Sequence, residues 1–162
     1  MTLAILVLED EPEVRAALER DLLEFADSVR IEPVDDVTDA WEAISEISAD
    51  GDELALALCD HRLPGTTGVD FMIQMMDDDR TAAARKVLIT GQADLRDTVR
   101  AVNQASLDHY IAKPWQAPQL HEVVREQLTN YVEENRINPL PYMSVLDASR
   151  AMELIRTSSW AD

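Results

Sequence analysis

Leu54-Ala55-Leu56-Ala57-Leu58-Cys59-Asp60-His61-Arg62-Leu63-Pro64-Gly65-Thr66-Thr67-Gly68 is the stretch that decides the fold. An apolar run ends abruptly in a carboxylate, and turn residues follow. Such a run reads as a fully buried parallel strand, although periodicity alone does not separate it from a buried helix segment. As a strand it puts Asp60 at its carboxyl end, the edge of an open α/β sheet where ligands bind.

Four other stretches repeat the pattern on either side. Leu3 to Leu8 is a buried-strand candidate ending in Glu9 and Asp10, Val29 to Val34 is a weaker one, and Lys86 to Thr90 and Asp108 to Ala112 follow. Between them lie helical spacings. Pro12 fits a first turn leading to about residue 26, Asp35 or Asp36 can cap a helix with Trp41, Ile44 and Ile47 inward, and Phe71 to Met76 mark a short helix. Asp94 is a plausible cap for a helix with Leu95, Val99 and Val102 inward, and Gln116 to about Glu134 forms the last long one. Five strands alternating with helices predict an α/β, doubly wound five-stranded parallel sheet with helices on both faces, in the order 2-1-3-4-5.

That order sets the first and third strands side by side, so Glu9, Asp10 and Asp60 meet at one edge. Three carboxylates in one small pocket repel unless a cation sits among them, and hard oxygen ligands without His or Cys favour Mg2+ or Mn2+ over zinc. The fourth and fifth strands bring Thr90 and Lys113 to the same edge, a hydroxyl and an ammonium suited to a phosphoryl oxygen. Only Lys86 and Lys113 are lysine among 14 basic residues, which suggests that a point charge was wanted before Pro114. The Lys113-Pro114 bond can be cis, which would bend the loop so that Lys113 points inward.

Composition bounds the function. With 32 acidic residues against 14 basic and a net charge of -18, the surface repels phosphate backbones, which argues against direct nucleic-acid binding. Cys59 is the only cysteine, so no internal disulfide and no Cys-based zinc site can form, and its apolar surroundings make it a core residue. Leu3 to Leu8 is too short for a signal segment and lacks a basic lead, and no span approaches membrane length, so the expectation is a cytoplasmic protein without a membrane partner.

Together these residues resemble the receiver domain of two-component response regulators, over about residues 3 to 130. The resemblance rests on Leu8-Glu9-Asp10-Glu11-Pro12, on Asp60 with Leu63-Pro64-Gly65 and Gly68, on Thr90-Gly91, on Tyr110 and on Lys113-Pro114. It implies a flavodoxin-like sheet in a receiver domain of residues 1-134; beyond it, Pro139 and Pro141 break the long helix and leave a C-terminal helical extension over 135-162. It implies that Asp60 is the phosphoacceptor for a histidine kinase or a phosphotransfer protein. Glu9, Asp10, Asp60 and the Arg62 backbone carbonyl would hold Mg2+, with Mn2+ as an alternative. Lys113 would pair with the phosphoryl oxygens, and Thr90 and Tyr110 would form the switch. Arg62 and Gln92 border the path of an attacking water and would tune dephosphorylation.

The protein so implied is a signalling switch, catalysing only its own phosphorylation and dephosphorylation, with output through the fourth helix, fifth strand and fifth helix. The output would be a homodimer, a partner or an output module. Other classes stand beside it: a phosphorylation-independent interaction module on the same fold, and an enzyme such as an aspartyl-phosphate phosphatase or a flavin carrier. Arg62 occupies the position where such phosphatases usually carry a second Asp, and no Ser/Thr/Gly-rich phosphate loop follows the first strand. Two departures from the family stand out: Glu9 where Asp is commoner, and His61-Arg62 where small apolar or Met residues are common. His109 and His121 lack metal-like spacing and read as solvated. In the extension, Ser144 or Asp147 starts a helix with Val145, Ala148, Met152 and Ile155 roughly on one face.

Overall fold

The computed structural model describes residues 1–91 and 95–158. Five parallel strands form the sheet: β1 (Leu3–Leu8), β2 (Arg30–Val34), β3 (Glu53–Cys59), β6 (Arg85–Thr90) and β7 (His109–Ala112). Their spatial order is β2-β1-β3-β6-β7, which is 2-1-3-4-5 when only these five are counted. The two strands skipped in that count, β4 (Arg62–Leu63) and β5 (Thr66–Thr67), pair antiparallel in a small hairpin just after Asp60. That hairpin was not expected, because two-residue strands leave no periodic signal.

Alternation along the strands builds the two halves of the core. Leu3, Ile5 and Val7 of β1 face one cluster with Leu58, Val87 and Ile111, while Ala4, Leu6 and Leu8 face the other with Ala57, Cys59 and Leu88. A strand apolar on both faces must be covered on both, and helices do so. On one side lie α1 (Pro12–Asp21) and α5 (Ala117–Glu134); on the other lie α2 (Val37–Ala49), α3 (Gly68–Met75) and α4 (Leu95–Ala105). Caps fall where short polar side chains precede a helix: Asp36 accepts the Asp39 N–H at 2.7 Å, and Thr67 accepts that of Asp70 at 3.1 Å. The expected Asp94 cap lies outside the described residues. The chain after α1 tightens into a 3-10 turn at Leu23–Phe25, so the first helix is shorter than expected.

α4 is turned differently from its expected orientation. Val99 and Val102 are 48% and 53% exposed, and Ala101 and Ala105 face inward. Small residues let α4 sit close to α3, and polar links described below set its rotation.

The extension folds back on its own domain. A 3-10 turn at Leu140–Tyr142 precedes α6 (Ala148–Thr157), and Tyr142, Val145, Leu146 and Ala151 join the same apolar cluster as Leu3 and Leu128. Asp147 caps α6 through the Arg150 N–H at 2.9 Å, and Arg150 pairs with Glu133 on α5. Ala148 and Met152, expected on the inward face of α6, are exposed, whereas Ala151 and Leu154 pack inward. The anchoring residues lie ahead of the helix, and the Arg150 pair fixes its rotation. No described helix is long and apolar enough to cross a membrane.

Candidate functional site

β1 and β3 run side by side to the same edge, and their carboxyl-terminal residues meet there. Leu8 pairs with Cys59, and the Asp60 N–H donates to the Leu8 carbonyl at 2.9 Å. Carboxylate oxygens of Glu9, Asp10 and Asp60 consequently lie within 4.8 Å of one another. Thr90 ends β6, and Lys113 directly follows β7, with a cis bond to Pro114 after it. Asp60, Arg62, Thr90 and Lys113 line one cleft of about 470 Å³, rimmed by Val14, Pro114 and Trp115.

Lysine and acids are in direct contact. Lys113 Nζ donates to Glu9 Oε1 at 2.5 Å and lies 3.4 Å from Asp60 Oδ2. Glu9 is only 1% exposed, and its Oε2 has no hydrogen-bond partner among the described residues. Burial therefore pushes the Glu9 carboxyl up to about 7; the Lys113 hydrogen bond opposes that rise and the nearby Asp60 charge adds to it. Burial works against the Lys113 charge, but the Glu9 hydrogen bond and the field of Asp60 outweigh it and hold its pKa above the usual lysine value. Burial, aided by the Asp60 charge and opposed by Lys86, raises the Cys59 thiol, which keeps it protonated and inert as a nucleophile.

These donors fit a hard divalent cation. All are oxygens, they converge within one small space, and one buried carboxylate oxygen is left without a partner, as Mg2+ or Mn2+ coordination requires.

The loop after Asp60 is held tightly. The His61 N–H donates to Asp60 Oδ1 at 2.8 Å, which leaves Oδ2 turned toward Lys113, and the Gly68 N–H donates to the His61 carbonyl at 2.7 Å. A Cβ on Gly68 would meet the Asp60 carbonyl oxygen at 2.0 Å, so only glycine permits this closure.

The expected site residues Glu9, Asp10, Asp60, Arg62, Thr90 and Lys113 all reach this edge. Tyr110 stands beneath it, its hydroxyl donating to the Thr90 carbonyl at 2.9 Å. Gln92 lies outside the described residues. Three contributors are not among the expected site residues, although His61 stands out in the sequence as a departure from the family: Arg15 donates to the Glu9 carbonyl at 2.8 Å, His61 is buried, and Asp97 of α4 meets the His61 ring. The His61–Asp97 contact joins segments 36 residues apart, whereas Arg15 reaches back only six residues to Glu9. His121, expected to be solvated, instead lies 2.6 Å from the Asp21 carbonyl oxygen through Nε2 and edge-on to Phe25.

The response regulator receiver domain model matches residues 5–125. The hydrogenase transcriptional regulatory protein HoxA of Cupriavidus necator is 31% identical over 122 residues, which is 75% of this chain and 23% of that protein. This chain thus spans about a quarter of that relative's length. Among solved structures, the signal receiver domain of an HD domain-containing protein from Pseudomonas fluorescens superposes with a TM-score of 0.73 at 20% identity, covering 84% of this chain and 93% of that one. A CheY-like receiver domain protein from Methanospirillum hungatei gives 0.70 at 22% identity, covering 83% and 99%.

Proposed function

The chain belongs to the response regulator receiver domain family, and from that premise we propose that it is a phosphorylation switch in which Asp60 accepts a phosphoryl group from a histidine kinase or a phosphotransfer protein. The observation that carries the proposal is Lys113 Nζ set between Glu9 and Asp60 in a cleft that also holds Thr90. Glu9, Asp10, Asp60 and the Arg62 carbonyl would hold Mg2+ or Mn2+. When bound, such an ion offsets the charge of the acids and of an incoming phosphoryl group.

The chain's own groups do the rest. An Asp60 carboxylate oxygen forms the new bond to phosphorus as the bond to the donor's imidazole nitrogen breaks. Lys113 exchanges part of its contact with Glu9 for the phosphoryl oxygens, and Thr90 donates its hydroxyl to one of them. Motion of Thr90 strains the Tyr110 hydrogen bond to its carbonyl, and Tyr110 turns inward. A new charge of about -1.5 to -2 at the site thereby alters the surface formed by α4, β7 and α5. Arg62, at the cleft, and Gln92 set the lifetime of the acyl phosphate.

Residues 1-134 act as the receiver and 135-162 as an extension to it. The protein works in the cytoplasm as a switch, turning over no other substrate. Its output passes through a homodimer, a partner protein or an output module. The acidic surface disfavours nucleic acid as a direct partner.

A small phosphodonor with Mg2+ is expected to give acid-labile label on the wild type and none on Asp60→Asn, with decay changed more than formation in Arg62→Ala. Absence of label on the wild type, together with no response to beryllofluoride, would overturn the proposal and leave a phosphorylation-independent interaction module.

A further inference from the structure

His61 touches both the site and a helix. It is 5% exposed; its N–H donates to Asp60 Oδ1, and its Nε2 lies 3.0 Å from Asp97 Oδ2 on α4. Nδ1 is buried without a partner among the described residues, so the proton of the neutral ring belongs on Nε2, where it is donated to Asp97. Three residues further along α4, Arg100 pairs with Asp70 of α3. Residues three apart share a helix face, so both links hold the same side of α4. Val99 and Val102 are left in solvent as a result.

We infer that His61 is a positioning residue that couples Asp60 to α4 directly, beside any route through Thr90 and Tyr110. The coupling rests on the reading of Asp60 as phosphoacceptor, and its physical basis is hydrogen-bond strength. A carboxylate oxygen accepts strongly because it is charged; after transfer that charge has moved to the phosphoryl group, and the remaining acyl oxygen accepts more weakly. The His61 N–H then holds less firmly, its ring shifts with its backbone, and the hydrogen bond to Asp97 loosens. Coupling of this kind is reciprocal, so a partner that moves Asp97 by binding α4 changes the affinity of Asp60 for a phosphoryl mimic.

The test is amide hydrogen exchange along α4 in the full chain, for wild type, Asp97→Ala and Asp97→Asn, with Mg2+ and with or without beryllofluoride. In the wild type, beryllofluoride is expected to speed exchange in the first turns of α4 by about tenfold or more, the effect of losing one charge-assisted hydrogen bond. Asp97→Ala should exchange that fast without beryllofluoride and gain little from it, and should bind beryllofluoride more tightly. Asp97→Asn retains an acceptor for the His61 Nε2–H and should stay near wild type, a rescue that a merely bulky contact would not show. Wild-type exchange in Asp97→Ala, or an undiminished beryllofluoride effect, would overturn the inference. If wild-type amides around Asp60 and Lys113 ignore beryllofluoride, the phosphoacceptor reading fails instead, and the unliganded Asp97→Ala comparison still judges the tether.

Discussion

At the carboxyl ends of β1 and β3, Glu9, Asp10 and Asp60 crowd together against Lys113, and Glu9 Oε2 lies buried without a partner among the described residues. At the amino ends of the same strands, the Tyr142 hydroxyl accepts the Leu3 N–H at 3.1 Å, Tyr131 donates to Glu53 at 2.9 Å, and Asp52 accepts the Thr2 N–H at 2.8 Å. Arg30 joins Glu32, Asp50 and Asp52 nearby. One end leaves like charges unbalanced, and the other matches donors to acceptors over an apolar anchor. On the proposed reading, a site that binds and releases charge is kept short of satisfaction, and stability comes from elsewhere in the fold.

The sharpest way to break this contrast is at the anchor. Tyr142→Ala should cost about 3–5 kcal/mol, because a buried aromatic is removed and the Leu3 N–H loses its acceptor. Urea unfolding measures it, and a loss below about 1 kcal/mol, the size of an ordinary surface effect, would make the extension a passive appendage.

The site should show the opposite sign, through pH. Glu9 is raised in the folded chain from an ordinary 4.5 to about 7, so its contribution is whole below pH 4.5 and is lost as pH rises through 7. The unfolding free energy of wild type relative to Glu9→Gln should therefore fall by about 3 kcal/mol between pH 4 and pH 8 without divalent ions. Saturating Mg2+ should remove most of that fall, since a bound cation offsets the carboxylate charge. A pH-independent difference would remove the claim that the site is electrostatically unbalanced.

The smallest effect belongs to Arg150→Ala. Its pair with Glu133 is about one-third exposed on both sides, so solvent screens it and the loss should be about 0.2–1 kcal/mol. A larger value would place the anchor in the charges of α6 rather than in Tyr142, Val145 and Leu146.

The strands, their order and the meeting of Glu9, Asp10, Asp60, Thr90 and Lys113 could all be read from the sequence. Each rests on an apolar run giving way to a polar or charged residue, and short connections in an alternating chain leave few topologies. The α4 face could not be read. Leu95, Val99 and Val102 have helical spacing, yet Val99 and Val102 stay exposed, because His61 and Asp70, 36 and 30 residues earlier in the chain, hold Asp97 and Arg100. The inward face of α6 failed for the same reason, since Tyr142 and Arg150 meet partners on β1 and α5.

The sequence by itself determined the sheet and the edge at which Glu9, Asp10, Asp60, Thr90 and Lys113 meet, because burial period and strand ends are local properties of the chain. Only the tertiary structure decided the rotation of α4, the docking of the extension and the link from Asp60 through His61 to Asp97. Those depend on contacts between distant segments, where matching one polar group outweighs the weak apolar preference of a single helix face.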